Sequence, residues 1–448
     1  MKRIFYSLFL LVSLISCEKF LDESPPIGLS SDKLTDIASM NALINGTYAN
    51  LRSFTAYTSM ITSTIVHDVN IRRDPNWIPF TRWSETGLPP VFTTNLYGDG
   101  FAALNKINTV ANANVPEMIA TQTEKNSVLG DMHFLRALVY FDMNNYFTLN
   151  SSGNSVPLVL DVLGVNDRVS VAKSSEIRTQ IEEDIELARL YFENSAGVSN
   201  YEIATALAAR IYFFHEKYDL AYQRANEVVE SSKYSLESEV TAPFVTGNGS
   251  PEVIFSILFN AAEGWPGAAR VNFESYQDDK ERGIASLNPS SLLAQLRNAD
   301  PNDKRHSDLY TEAGGLVYAN GKFPSNQTDY IYLRYSEILL TRAEANIMRN
   351  NGAINVQDIE DVNAVKNRAG ATDTITGSPD SSFMLEAIYQ ERSKELAFEH
   401  GDRFLNIRRL QKGIYNEDGT EEIPFSEYVN QLVFPFPLFE VELHDLQR

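Results

Sequence analysis

Two helices joined by only three residues constrain this chain most. Across residues 201–215, Ala204, Leu207, Ala208 and Ile211 share one helical face, and across 219–231 Ala221, Ala225 and Val228 do the same. The connection is Glu216-Lys217-Tyr218. Small residues on facing stripes let two antiparallel helices approach closely, which is how tetratricopeptide hairpins pack. The match is degenerate, because the second helix is offset by one residue. A second pair is expected over 335–348 (YSEILLTRAEANIM) and 356–369. Degenerate repeats buried beside other helices are read as structural.

Further helices are predicted around them. Ile37, Met40, Leu43, Ile44 and Tyr48 carry helical spacing from Leu34 onward, and residues 101–115, 131–146 and 176–192 read as helices. Residues 72–100 form a breaker-rich loop holding two tryptophans. Residues 243–326 read as irregular, with one strand at 253–259 and a hairpin pairing Leu316-Val317-Tyr318 with Gly321-Lys322-Phe323. Alternating prolines in Phe434-Pro435-Phe436-Pro437 preclude helix or central strand, so this segment is expected to lie extended against the body.

The single cysteine, Cys17, follows a positive pair (Lys2, Arg3) and an apolar run, residues 4–15. That run is too short to span a bilayer, which takes about 20 apolar residues. Leu14-Ile15-Ser16-Cys17 fits a lipobox, so residues 1–16 are expected to be a signal peptide cleaved before a diacylglyceryl-modified Cys17. More than one acyl chain on that residue would give stable anchoring. Residues 17–31, with Pro25-Pro26, then form a flexible leader. With Cys17 acylated, no thiol remains for disulfides, metal sites or catalysis. The formal charge of −21 repels nucleic acid, which is excluded as a partner, and is compatible with neutral ligands.

Several segments, in order along the chain, resemble the SusD/RagB family of outer-membrane nutrient-binding lipoproteins. These are the leader after Cys17, Gly130-Asp131-Met132-His133-Phe134-Leu135-Arg136-Ala137 running on to Tyr140-Phe141-Asp142, and Val156-Pro157-Leu158. They continue with Arg342-Ala343-Glu344-Ala345, with Glu391-Arg392 through Glu395-Leu396-Ala397-Phe398-Glu399 to Asp402-Arg403 and Arg408-Arg409, and with Phe434-Pro435-Phe436-Pro437. Asp131 and Met132 stand where the family usually has glutamate and alanine, and Leu410 where it has tryptophan.

The resemblance implies a mainly α fold, an α-α superhelix of tetratricopeptide-like hairpins with a loop-rich, minor β ligand-binding region. It divides the chain into an N-terminal part at 32–240 and a C-terminal part at 241–448 that would not fold independently. It also implies a partner, a SusC-like TonB-dependent outer-membrane transporter to which captured oligosaccharide or polysaccharide is passed. No cofactor is implied.

Among candidate residues, Glu391, Glu395 and Glu399 would lie one turn apart on a single helix, and a carboxylate pair can hydrolyse glycosides. A surface glycosidase is therefore one reading. The favoured reading pairs these carboxylates with Arg392, Arg403 and Arg408 as interhelix ion pairs, because each arginine lowers a neighbouring carboxyl pKa. The six histidines show no zinc spacing. Asp300-Pro301-Asn302-Asp303 lacks the glycine and distal glutamate of an EF-hand and reads as a solvated turn, so no metal site is expected.

The tryptophans carry the functional signal. Trp77 and Trp83 lie between breakers in residues 74–84, and Trp265 sits in Gly264-Trp265-Pro266-Gly267. An aromatic on a pre-bent loop presents a flat face on which a sugar ring can stack. Phe80, Tyr97 and Tyr276 are candidate companions, and Asp74, Arg82, Arg270 and Asn272 candidate polar partners. The expected function is a non-catalytic, lipid-anchored glycan binder at the cell surface, in the outer membrane. The alternatives are a binder of peptide or glycoprotein nutrients, the surface glycosidase, and an adhesin or structural lid.

Overall fold

The computed structural model describes residues 35–71, 90–148, 153–164, 167–195, 198–259, 285–325, 328–415 and 422–444. Helix α1 (Ile37–Ile65) starts where the Asp36 carboxylate accepts the Ser39 N–H at 2.8 Å. It is rich in hydroxyls yet buried. Thr47, Thr55, Thr58, Thr62 and Thr64 resolve that conflict by donating to carbonyls four residues back. After the short strand β1 (Val69–Ile71), α2 (Pro90–Asn112) returns antiparallel to α1, and Lys106 Nζ ties them through the Gly46 carbonyl and Asn50. The expected loop at 72–100 thus gives way to helix at Pro90, where proline is tolerated in a first turn.

Helix α3 (Gln122–Phe147) begins with a Thr121/Glu124 capping box and is the most buried long helix of this half. Gly130 lets α4 (Ser174–Glu193) pack close: a Cβ there would sit 2.5 Å from the Phe192 ring. Asp184 on α4 takes two hydrogen bonds from Arg136 and one contact from His133 Nδ1 at 2.6 Å, which accounts for the polar part of that buried interface. Helices α5 (Val198–Phe214) and α6 (Tyr218–Glu230) are the hairpin read from the sequence. Ala204, Leu207, Ala208, Ile211, Ala221, Ala225 and Val228 are all buried between helices.

The second half opens with a short α7 (Ala242–Thr246) and strand β2 (Val253–Ile257), then β3 (Ala285–Leu287), α8 (Leu292–Ala299) and α9 (Lys304–Asp308). Strand β4 (Thr311–Ala313) pairs with β5 (Leu316–Tyr318) across Gly314-Gly315, both at positive φ. The predicted hairpin partner at 321–323 is instead a 3-10 turn, Asn320–Lys322. Gly321 abuts the Leu309 backbone so closely that a Cβ would clash at 2.5 Å, leaving no room there for a strand with side chains. Strand β6 (Tyr330–Arg334) runs into α10 (Tyr335–Arg349), followed by α11 (Val356–Arg368) and α12 (Ser381–Glu395). Helix α13 (Asp402–Leu410) precedes strands β7 (Ile414–Tyr415) and β8 (Glu422–Ile423) and a short α14 (Phe425–Tyr428). Helix α15 (Leu438–His444), absent from the sequence reading, follows the extended 433–437 segment.

The fold is mainly α, with four two-stranded antiparallel ladders among the described residues: β1–β3, β2–β6, β4–β5 and β7–β8. One hydrophobic core runs from Met40 to Phe436 through both halves of the chain. A smaller one joins α10, α11 and α12 around Leu340, Val362 and Ile388. Residues 300–303 do turn, with Pro301 and Asn302 exposed, but the two aspartates are not solvated. Both are buried: Asp300 accepts the Thr372 N–H at 2.6 Å, and Asp303 caps α9 and binds Arg305.

Candidate functional site

Strands β1 and β3 bring two distant stretches of chain together. They are antiparallel, with Val69 opposite Leu287, Asn70 opposite Ser286 and Ile71 opposite Ala285. The residue before position 72 and the residue after position 284 are therefore paired neighbours. The candidate residues Asp74, Trp77, Phe80, Arg82, Trp83, Trp265, Arg270, Asn272 and Tyr276, like Cys17, lie outside the described residues. Their stems, separated by over 200 positions in sequence, are hydrogen-bonded neighbours.

The stems are held from below. The Asp68 carbonyl accepts the Asn288 N–H at 2.9 Å, and Asn288 Nδ2 donates to the His67 carbonyl at the same distance. The Asp68 carboxylate takes Arg403 Nε at 2.8 and 2.9 Å, and Arg403 also donates to Tyr389 Oη at 3.1 Å. The departing stem of the second loop is pinned by the Phe259 N–H donating to Asp329 and by Arg52 donating to the Leu258 carbonyl.

Tyr97 corrects the expectation placed on it. Its ring is 2% exposed, lying 4.6 Å from Phe101, 5.6 Å from Phe147 and 6.1 Å from Phe436. It is a core aromatic that anchors the extended C-terminal segment against α2 and α3, so it offers no face to a ligand.

The carboxylates Glu391, Glu395 and Glu399 do not lie on one helix. Helix α12 ends at Glu395, and Phe398, His400 and Gly401 take positive φ (64°, 22° and 78°) in a tight buried turn before α13. Their partners also differ from the arginines expected. Glu391 pairs with Arg305 at 2.7 Å and Lys394 at 3.2 Å, Glu395 with Arg305, Arg334 and Arg368, and Glu399 with Arg334 and Lys322. Glu252 adds a further carboxylate to Arg334 and Arg368. The expected arginines turn elsewhere: Arg392 to Asp402 and Thr341, Arg403 to Asp68, and Arg408 to the carbonyls of Asn145 and Thr148 at the end of α3.

Burial opposes ionisation of these carboxylates, but the guanidiniums win. Arg368, Arg334 and Arg305 hold Glu395 well below the usual range, and Arg305 and Arg334 do the same, less strongly, for Glu391 and Glu399. Burial pushes the Lys322 ammonium down to about 8 against the pull of Glu399. A glycosidase acid must exchange a proton near neutrality. These carboxylates are locked as anions, buried, and saturated by cations, so the cluster is a structural keystone. Sequence reasoning missed Arg305, Lys322, Arg334 and Arg368. One signal was present: an arginine closing the otherwise apolar strand YIYLR has no reason to be there unless a buried anion awaits it.

Residues 305–432, which include that keystone apart from Glu252, match the model described as the SusD family. Over 96% of this chain and 95% of its own length, the SusD-like protein P2 of Formosa agariphila is 22% identical. The SusD-like protein P25 of the same organism is 23% identical over 91% of this chain and 89% of its own length. The chain thus resembles SusD-like proteins along nearly its whole length. Its fold matches solved structures described as SusD superfamily proteins. A SusD superfamily protein from Bacteroides thetaiotaomicron superposes with a TM-score of 0.75 at 18% identity, covering 92% of this chain and 99% of that one. A structure described as a SusD-like carbohydrate binding protein, from Bacteroides vulgatus, gives 0.75 at 17% identity, over 92% and 97%. Among the described residues no helix is long and apolar enough to cross a membrane, and no group of three or more His, Cys, Asp or Glu is placed to hold a metal ion.

Proposed function

We propose that this chain is a non-catalytic glycan-binding lipoprotein of the SusD/RagB kind, whose working face is built by residues 72–89 and 260–284 together. The observation that carries the reading is the β1–β3 ladder. It sets the stems of the two tryptophan-bearing segments side by side, so one ligand can touch both. Trp77, Trp83 and Trp265 supply stacking faces, with Phe80 and Tyr276 as companions and Asp74, Arg82, Arg270 and Asn272 as hydrogen-bonding partners. A similar fold in a protein described as carbohydrate binding supports the ligand class. The lipobox supports acylation at Cys17 and an outer-membrane, surface-facing tether. The family resemblance supports delivery of oligosaccharide to a SusC-like TonB-dependent transporter.

The test is a titration of the chain from residue 18 onward with a panel of neutral and acidic oligosaccharides. Saturable binding by at least one of them is expected. Binding of a peptide or glycoprotein with no response to any glycan would replace the carbohydrate reading with a peptide-nutrient one, and hydrolysis of any panel member would replace it with a glycosidase.

A further inference from the structure

Helix α8, the start of α9 and the last turn of α12 enclose a small cavity lined by Leu293, Arg297, Asp303, Arg305, Tyr310 and Lys394, with His306 at its side. It has room for about one water-sized particle. Two buried polar groups on its lining, Arg297 Nε and Tyr310 Oη, have no hydrogen-bond partner. Arg297 gives its terminal nitrogens to Asn298 at 3.2 Å and Glu312 at 2.8 Å, but its buried Nε has no partner. The buried Tyr310 hydroxyl has none either, and the Arg297 guanidinium stacks over the Tyr310 ring at 5.4 Å. Lys394 Nζ stands 3.2 Å from Glu391 and 3.5 Å from Asp303. That Glu391 oxygen makes no hydrogen bond, so the contact is an ion pair with protons to spare.

The one carboxylate in the lining is already full. Asp303 accepts four hydrogen bonds from Arg305: the backbone N–H at 3.0 Å, Nε at 2.9 and 3.2 Å, and a terminal nitrogen at 2.7 Å. A carboxylate has about four lone-pair sites. His306 spends its Nδ1 proton on the Arg297 carbonyl at 2.5 Å. A water has two lone pairs to offer these donors, whereas a halide can accept from Arg297 Nε, Tyr310 Oη and Lys394 Nζ together.

We propose that this cavity is a site for a single small monovalent anion, of halide size, held by Arg297 Nε, Tyr310 Oη and Lys394 Nζ. The Tyr310 ring lies 6.3 Å from that of Phe398 in the keystone turn, and α8 follows directly on the β3 stem. Occupancy would therefore brace the segment that leads away from the third tryptophan's loop. The reading does not depend on which glycan binds.

The test uses the purified protein in sodium bromide. Anomalous diffraction at the bromine edge is expected to show a peak in contact with Arg297, Tyr310 and Lys394. In solution, bromide should raise the unfolding midpoint above that in sodium gluconate of equal ionic strength, and Tyr310→Phe and Arg297→Gln should each abolish the difference. Tyr310→Phe preserves the ring packing, so it remains informative if Arg297→Gln folds poorly. Absence of an anomalous peak in the cavity, or bromide stabilisation unchanged in Tyr310→Phe, would overturn the proposal.

Discussion

The α5–α6 hairpin and the α12–α13 turn are both buried, and they are held together by opposite means. Between α5 and α6 the contact is made by alanines and short aliphatics. The nearest charges run along and between α4 and α6, where Arg189 and Arg224 bridge Glu186 and Glu227, each carboxylate about a third exposed. Pairs that keep that much contact with water contribute about 0–1 kcal/mol. The α12–α13 turn instead seals Glu391, Glu395 and Glu399 away from water against Arg305, Arg334, Arg368 and Lys322. A buried pair gains little net stability, because desolvation offsets attraction, but removing one member leaves its partner charged and unpaired. The hairpin tolerates what changes charge and resists what changes volume; the turn resists what changes charge.

That contrast is broken most sharply at Arg334. Arg334→Met leaves Glu395, Glu399 and Glu252 short of a cation, and a loss of about 3–5 kcal/mol is expected in urea unfolding. A loss under about 1 kcal/mol would mean that the cluster is plastic and the contrast false.

Acid should act next. Burial pushes His215 down to about 4, and burial with the nearby Arg210 and Arg392 holds His400 well below 6.5. A histidine whose folded pKa is depressed contributes stability that is fully present above its unfolded pKa and is lost as pH falls towards the folded one. Stability should therefore decline from about pH 6.5 to about pH 4, by up to about 3 kcal/mol from His215 alone. Glu182, whose hydrogen bonds from His215 and Lys217 outweigh its burial and hold it low, adds a loss of the same sign. A thermal midpoint that is flat over that window would contradict the assignment, and His215→Gln should reduce the slope.

Volume tests the hairpin. Ala225→Leu forces a larger side chain between α6 and its neighbours and should cost about 1–3 kcal/mol. Arg224→Gln should cost about 1 kcal/mol or less. If the two costs were reversed, the interface would be held by its charges after all. The smallest expected effect lies outside both regions: Asn355→Ala removes the side-chain acceptor for the Asp358 N–H at the start of α11 and should cost about 1 kcal/mol.

The hairpin was legible in the sequence because its information is local. Alanine spacing on each helix sets the stripe, and a three-residue connection sets the pairing. The extended Phe434–Phe436 segment was legible for a similar reason, since proline removes the alternatives, and Phe434 N–H donates to the Tyr146 carbonyl at 2.8 Å. The keystone was only half legible. Glu391 and Glu395 announced a charged cluster, but Arg305 and Arg334 come from segments 61 to 90 residues away, and no periodicity links them. The helix break hinges on Phe398 at φ 64°, a conformation its side chain does not favour. Tertiary contacts impose it: Ser59 Oγ donates to the Phe398 carbonyl at 2.5 Å, and Gly401 abuts Thr62. Tyr97 was misread because its breaker-rich surroundings suggested a loop where α2 had already begun. The pairing of the stems of the two tryptophan-bearing segments was not legible at all, because a three-residue ladder between positions 69–71 and 285–287 leaves no pattern in either strand.

The claim that those loops form one binding face is tested most directly by calorimetric titration of a binding oligosaccharide against Trp77→Ala, Trp83→Ala and Trp265→Ala. A tryptophan at the centre of a binding surface is worth at least about 1.4 kcal/mol, or tenfold in affinity. The expected result is a loss of that size from at least one of Trp77 and Trp83 and also from Trp265, with unfolding midpoints unchanged. If substitutions in only one loop weakened binding, while the other loop's variant bound like the unaltered protein, the shared face would be contradicted.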